Sequence, residues 1–302
     1  MDIILYIALG LFGAAFGSFA VAQVWRIRAF QLKEDLASGG EEIDIAEWRK
    51  LKPLTNVKKS KDRSHCLDCG YQLKWYDLIP ILSWLFLRGK CRKCNKKIGL
   101  TEFIAEVSLA ILFIISFILW PAQSTLAANG DIFILAEFVL WLVSLVALTV
   151  LFVYDSKWSL LPTRQMILFI VIALVFWILR CVQVGFEVSI LINLVLSMII
   201  LPGTYFILNT ISKGQWVGSG DWILSIGLIF LLPNEPIFAA LVLFLSNFLG
   251  TVYILIMSVF KNSQIKKGLK IPFGPFLILA TIIIALTYPQ INEILMFFDI
   301  EK

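Results

Sequence analysis

Seven separate apolar runs, near 3–25, 102–120, 132–154, 165–184, 188–209, 236–260 and 272–298, each reach about the length a helix needs to cross a ~30 Å hydrocarbon core. A chain of 302 residues has no soluble core large enough to hide so many. Only 16% of its residues are charged and 59% are hydrophobic, against roughly a quarter and a half in a soluble domain. The composition excludes a disordered chain, a coiled coil, a disulfide-knotted secreted domain and an ordinary cytosolic enzyme. It predicts an all-α polytopic membrane protein. An eighth run, 222–232, has eleven residues between Asp221 and Pro233. At ~1.5 Å per residue it covers about half the core, so its polar N-terminal end is expected below the interface. With this short one the chain is expected to carry about eight transmembrane helices.

The first run is not read as a cleavable signal peptide. No basic residue precedes Ile3, and Arg26 and Arg28 follow the run, an order that retains the segment with its C-terminal end inside. Alternating the spans from there places 26–101, 155–164, 210–221 and 261–271 on one side, and these hold 24 of the 26 Lys and Arg residues. That asymmetry predicts basic loops in the cytoplasm and the N-terminus outside.

The polar stretch 26–101 is the one long loop, with a short helix expected around 43–51 in an otherwise charged segment from Gln31 to Lys61. Its basic excess is read as the face of a membrane protein beside acidic lipid headgroups rather than as a nucleic-acid surface. Four of the five cysteines lie in it, as Cys66-x2-Cys69 and Cys91-x2-Cys94. Paired CxxC motifs at this spacing predict two knuckles around one tetrahedral, structural Zn2+, with Gly70 and Gly89 suited to the tight turns. His65, the only histidine, adjoins Cys66 and is expected to be a bystander. Cys181, in the fourth run, is read as a packing residue.

With its one histidine inside the zinc loop, the chain offers no Ser-His-Asp triad. Chemistry has to come from carboxylates. Asp155 follows the third run in VLFVYDSKWSLLP, and Asp221 opens the short run in GQWVGSGDWILS. Both are expected near the inner membrane boundary, where an ionisable group is costly and marks a candidate functional site. Two carboxylates sharing a proton hydrolyse an amide without a metal. Either aspartate alone also reads as a helix N-cap, and sequence spacing does not decide between the two roles. A proton-coupled transporter would account for the carboxylates but not the cysteines. A membrane zinc-ribbon scaffold would account for the cysteines but leaves the GSGD loop idle.

The ordered series of motifs resembles the type IV prepilin peptidases. It comprises Gly17-Ser18-Phe19 and Arg26, both CxxC pairs, Ile79-Pro80-Ile81-Leu82-Ser83-Trp84-Leu85, Leu87-Arg88-Gly89-Lys90-Cys91, Glu106, Asp155 with Leu161-Pro162, Gly218-Ser219-Gly220-Asp221, and Pro272-Phe273-Gly274-Pro275-Phe276. The chain departs from the family pattern at Val21, Leu67, Thr101 and Thr163. The resemblance implies a GxGD-type intramembrane aspartyl protease of the bacterial inner membrane with Asp155 and Asp221 catalytic. Its expected partners are type IV prepilin or pseudopilin precursors and membrane lipid, with no nucleic acid. It implies removal of a short basic leader at the cytoplasmic face, followed by N-methylation of the new N-terminus from S-adenosylmethionine. The domain plan it suggests is a first transmembrane helix over 1–25, a cytoplasmic loop domain with the four-cysteine zinc site over 26–101, and a seven-helix membrane protease domain over 102–302.

Overall fold

The computed structural model describes residues 2–39, 44–55, 63–120, 132–261 and 271–300. Most of the expected basic stretch at 261–271 and part of the charged stretch at 31–61 lie outside the described residues. Helices dominate, and among the described residues there is no strand beyond isolated bridges. Among the described residues seven helices are long and apolar enough to cross a membrane, and an eighth apolar helix is too short, as the pattern of runs predicts. The protein is a multi-pass, all-α membrane protein with a four-cysteine cluster between its first two long helices. The chain divides into two compact units, Met1–Ile115 and Ser116–Lys302.

In the first unit, α1 runs from Asp2 to Ala37, well past Arg26, where the apolar run gives out. The extension persists because its character changes from apolar to amphipathic. Trp25, Ala29 and Leu32 recur at helical spacing and pack with Trp48, Leu51 and Leu54 of α2 (Ile45–Thr55). Asp44 starts α2, its Oδ1 accepting the N–H groups of Ala46 at 2.8 Å and Glu47 at 3.1 Å. Arg28 then ties the two helices together, donating to Glu47 at 2.8 Å. After the first cysteine pair come a 3-10 turn, Trp75–Leu78, and the short α3 (Leu82–Phe86). The chain then enters α4 (Leu100–Leu119).

Helices α1 and α4 meet backbone to backbone. A Cβ on Gly13 would fall 2.6 Å from the Leu109 carbonyl oxygen, and one on Gly17 would fall 2.7 Å from both Ala105 O and Glu106 Cα. The two glycines are four residues apart on one face, the small-residue spacing that lets membrane helices touch. Neither neighbour is a side chain that can swing away. Gly17→Val should therefore splay the pair and cost about 3 kcal/mol, at the upper end of overpacking penalties. Unfolding in detergent micelles measures the loss, and an unchanged midpoint would rule out this crossing.

The second unit is built on α5 (Ile132–Trp158), with α6 (Thr163–Val184), α7 (Val188–Met198), α8 (Thr204–Ser212), α9 (Ser219–Ile229), α10 (Pro236–Lys261) and α11 (Gly274–Ile300). A π-helical turn over Ile199–Gly203 joins α7 to α8, and Pro202, which has no N–H to continue an α ladder, sits inside it. Trp141, Leu145, Leu148 and Leu151 form the buried face of α5 against a core that includes Phe169, Phe176 and Phe238. The same face continues to Asp155, so the periodicity that buries α5 also carries a carboxylate inward. Near the other end of α5, Glu137 faces Arg180 at 3.8 Å, and Arg180 donates to the Tyr288 hydroxyl at 3.0 Å. Glu137 and Asp155 lie about 27 Å apart along the helix at ~1.5 Å per residue, so opposite ends of α5 carry the ion pair and the aspartate.

Candidate active site and metal centre

Asp155 lies inside the last turn of α5 rather than after the helix. Helix α5 ends at Trp158, and the next residue, Ser159, has a left-handed φ of 51° and an N–H that bonds back to the Asp155 carbonyl at 2.7 Å. The chain then runs extended into Pro162, whose φ of −73° prepares the start of α6. The Asp155 side chain is 4% exposed. Its Oδ2 accepts the backbone N–H of Gly274, the first residue of α11, at 3.0 Å. That N–H is one of the donors a helix start leaves unpaired.

Asp221 is 7% exposed and is the third residue of α9. The residue in the N-cap position is Gly218, with extended backbone, and Asp221 reaches back so that Oδ2 accepts the Gly218 N–H at 3.0 Å. Neither aspartate is therefore an N-cap by position, yet each holds the N-terminal peptide of a helix: Asp221 its own, Asp155 that of α11. The helix dipole and the unpaired N–H groups favour negative charge at both places.

The two carboxylates lie within electrostatic reach of each other. Leu161 explains how they are packed. A Cβ on Gly220 would fall 2.9 Å from Leu161 Cδ1, and one on Gly274 would fall 3.6 Å from the same atom. One side chain thus fits against both glycines, beside both aspartates. A Cβ on Gly274 would also lie 2.7 Å from Asp155 Oδ2, so a side chain there would drive the carboxylate out of place. Phe273 packs against Tyr205 with ring centroids 5.4 Å apart and the rings tilted by 58°. The buried Tyr205 hydroxyl lies 3.1 Å from Ser246 Oγ and accepts from Asn247 at 3.0 Å, and it too is within electrostatic reach of Asp221. Sequence reasoning quoted Gly274 without a role and missed Tyr205. The Gly-Pro pair that opens α11 was the one local signal, marking a helix start with a free N–H.

Cys66, Cys69, Cys91 and Cys94 come together with all four sulfurs within 4.8 Å of one another. Cys66 and Cys94 are 3.9 Å apart, as are Cys69 and Cys91. A tetrahedral ion with ~2.3 Å bonds to sulfur sets its ligands about 3.8 Å apart, so the cluster fits such an ion. The two halves are built alike. Gly70 N–H bonds to Cys66 O at 2.9 Å with φ +68°, and Asn95 N–H bonds to Cys91 O at 2.9 Å with φ 56°. Asn95, not Gly89, is the counterpart of Gly70. Gly89 instead precedes its knuckle, where a Cβ would fall 2.7 Å from the Trp84 ring. Burial raises the Cys91 thiol, but backbone N–H groups of Cys94 and Lys93 outweigh it and bring it down to about 7, toward the thiolate a metal needs. Asp77 braces the second knuckle. Burial opposes its charge, but the Arg92 guanidinium at 2.8 Å holds the carboxyl below the usual range. His65 bonds to the Arg63 carbonyl at 3.1 Å and is not among the clustered ligands. Cys181 is fully buried in α6.

Beside the knuckles lies a cavity of about 610 Å³, bounded by α1, α2, the cysteine loop and the first turns of α4. Trp84 Nε1 and Glu102 Oε2, from two of its lining residues, are buried without a hydrogen-bond partner. Leaving such atoms unpaired costs about 1–3 kcal/mol each.

Residues 11–120 match the model of the bacterial peptidase A24 N-terminal domain. A prepilin leader peptidase/N-methyltransferase of Vibrio cholerae is 30% identical over 224 residues, 74% of this chain and 80% of the relative. The chain belongs to the prepilin leader peptidase/N-methyltransferase family. Similar proteins of the same name from Dichelobacter nodosus and Pseudomonas aeruginosa are each 25% identical, over 96% and 94% of this chain and 94% and 90% of their own lengths. No solved structure matches the chain.

Proposed function

We propose that this chain is a membrane aspartyl endopeptidase that removes the short basic leader of type IV prepilin-like precursors at the cytoplasmic face of the bacterial inner membrane. It then methylates the new N-terminal amine. The observation that carries the peptidase reading is the pair of buried carboxylates, each held by one backbone N–H through Oδ2, at the starts of two helices that share Leu161. With Oδ2 occupied, Oδ1 of each aspartate is left to the reaction. One carboxylate, ionised, takes a proton from water as the oxygen adds to the scissile carbonyl. The other, protonated, donates to the carbonyl oxygen. The same groups exchange protons again as the tetrahedral intermediate collapses and the leaving amine is protonated. A pilin-like precursor has an apolar helix that would lie in the bilayer, with its basic leader toward the side where basic loops collect.

In this reading the four cysteines hold one structural Zn2+. The methyl donor is S-adenosylmethionine, which supplies an electrophilic methyl group when bound. The chain's own part in that step is to bind the donor and hold the trimmed amine unprotonated beside it. The division of labour follows the domain plan, with 26–101 as the cytoplasmic loop domain and 102–302 as the protease domain.

The test is incubation of the purified protein in detergent with a candidate prepilin and S-adenosylmethionine, followed by mass measurement of the pilin N-terminus. The expected product has lost its leader and gained one methyl group. A precursor that stays whole with several prepilins would leave a scaffold in place of an enzyme.

A further inference from the structure

The stretch between the two cysteine knuckles is a loop in sequence, yet it is fastened to a membrane-crossing helix inside that helix's end. Ile81, just before α3, donates its N–H to Glu106 of α4 at 2.7 Å, and Trp84 of α3 stacks on Phe103 of α4 with ring centroids 4.6 Å apart. Helix α4 has 20 residues, so nearly all of it is needed to cover a ~30 Å core. Counted from Leu100, Phe103 and Glu106 lie about 4 and 9 Å along it. Helix α1 gives the same depth from the opposite boundary. It meets Glu106 at Gly17, about 21 Å from Ile3, which leaves about 9 Å of the core.

At this level the stretch turns an apolar surface outward. Phe86 is 83% exposed and Trp75 77%, and Leu78, Ile79, Leu82 and Leu85 are exposed with them. The exposed charges at its two ends, Lys74, Arg88 and Lys90, are all basic, while its one carboxylate, Asp77, is buried against Arg92. The backbone is suited to a place without water. Ile81 has φ 63°, a costly value for a β-branched residue, in a tight turn closed by the Leu82 N–H on the Pro80 carbonyl. Its own N–H goes to the Glu106 carboxylate, and the N–H groups of Ser83 and Leu85 go to the carbonyls of Ile79 and Ile81 at 3.1 and 3.0 Å. Non-helical backbone at membrane depth requires such internal partners.

We infer that Trp75–Phe86 is an interfacial membrane anchor. Leu82, Leu85 and Phe86 enter the acyl chains of the leaflet on the loop's side, Trp75 lies at headgroup level, and Lys74, Arg88 and Lys90 meet anionic headgroups. The depth given by α1 and α4 matches the ~5–10 Å at which interfacial helices rest. Lipid is the occupant because the surface continues one that lipid already covers: Leu100 and Ile104 share the helical face of Phe103 and are exposed beside it. The single sign of charge at the rim suits acidic headgroups. The cysteine cluster, with Cys69 before this stretch and Cys91 after it, is thereby held against the membrane surface instead of hanging in solvent. The anchor requires only that α1 and α4 cross the bilayer, and it is independent of the reaction proposed above.

The experiment uses the full-length protein in vesicles of phosphatidylcholine and phosphatidylglycerol. Photoreactive benzoylphenylalanine replaces Phe86 or, as the control, Lys52 of α2, a helix packed on α1 beyond Trp25 and so outside the core. After illumination, position 86 should yield phospholipid adducts by mass spectrometry and position 52 should not. Leu82→Asn, Leu85→Asn and Phe86→Asn combined should speed trypsin cleavage after Arg88 in the vesicles at least about tenfold, the equivalent of losing the burial of one such side chain. Circular dichroism checks that the variant keeps its helices, and the cross-link decides even where the variant does not insert. Cross-links from position 86 to residues 116–302 or to a second protein chain, or lipid adducts no more abundant than at position 52, would overturn the anchor. Unchanged trypsin cleavage in a folded Asn variant would do the same.

Discussion

Asp221→Asn should cut cleavage of a prepilin by at least about 10³-fold while the protein inserts and binds precursor as before, since general acid–base catalysis contributes about 10²–10⁴. Asparagine keeps the shape of aspartate, and its amide oxygen can still accept the Gly218 N–H, so the start of α9 survives. Only the ability to exchange a proton is lost. Asp155→Asn should behave in the same way, because its amide oxygen can still accept the Gly274 N–H. If both serve one proton cycle, the double variant should be no worse than either single one. A purely structural role at these helix starts predicts the opposite order, with Asn tolerated and Ala harmful by ~1 kcal/mol. The pH profile of the wild-type enzyme should be bell-shaped. Activity falls on the acid side as the basic carboxylate gains its proton, and on the alkaline side as the acidic one loses its own. Full cleavage by either Asn variant, read by the mass of the pilin N-terminus, would refute the pair.

The second large effect concerns the cysteines. Cys91→Ser, or exhaustive chelation, should release about one zinc per chain and open the loop to protease, because structural zinc contributes ~10–16 kcal/mol to small cysteine sites. Methyl transfer should be lost with it, while cleavage should fall only in part. The carboxylate pair lies in a different unit of the chain and uses no metal ligand. Rapid, complete loss of cleavage on adding a chelator, with helical content intact, would count against a metal-free aspartyl mechanism. Metal analysis that finds no zinc in reduced, carefully purified protein would count against the zinc site itself.

The spans were legible in the sequence because lipid demands one property over a long stretch, and a run such as 236–260 supplies it without help from the rest of the fold. The short run near 222–232 was legible for the same reason. The cysteine cluster could be read because metal-ligand spacing is local, each knuckle closing within four residues. What escaped was set by partners far along the chain. The continuation of α1 past Arg26 depends on Leu51 and Trp48, and the hold on Asp155 depends on a peptide N–H more than a hundred residues away. Gly89 was placed in a knuckle turn because a glycine beside cysteines reads that way; the ring of Trp84, which decides its real role, leaves no local trace. Tyr205 looked like one more aromatic in an apolar run, and only the fold brings Ser246 and Asn247 to its hydroxyl.

The brevity of α9 ties the enzyme to the thickness of its bilayer. A helix of 11 residues is about 16 Å long, and one end of it carries Asp221. On either side of it, α7 and α8 together and α10 have the length of ordinary lipid; α9 does not. Longer acyl chains therefore bury its polar end deeper under hydrocarbon, and shorter ones bring headgroups and water to it, at a cost of fractions of a kcal/mol per ångström. Hydrolysis consumes one water for every leader removed, so turnover in vesicles should fall as the lipid chains lengthen, with no residue of the protein changed.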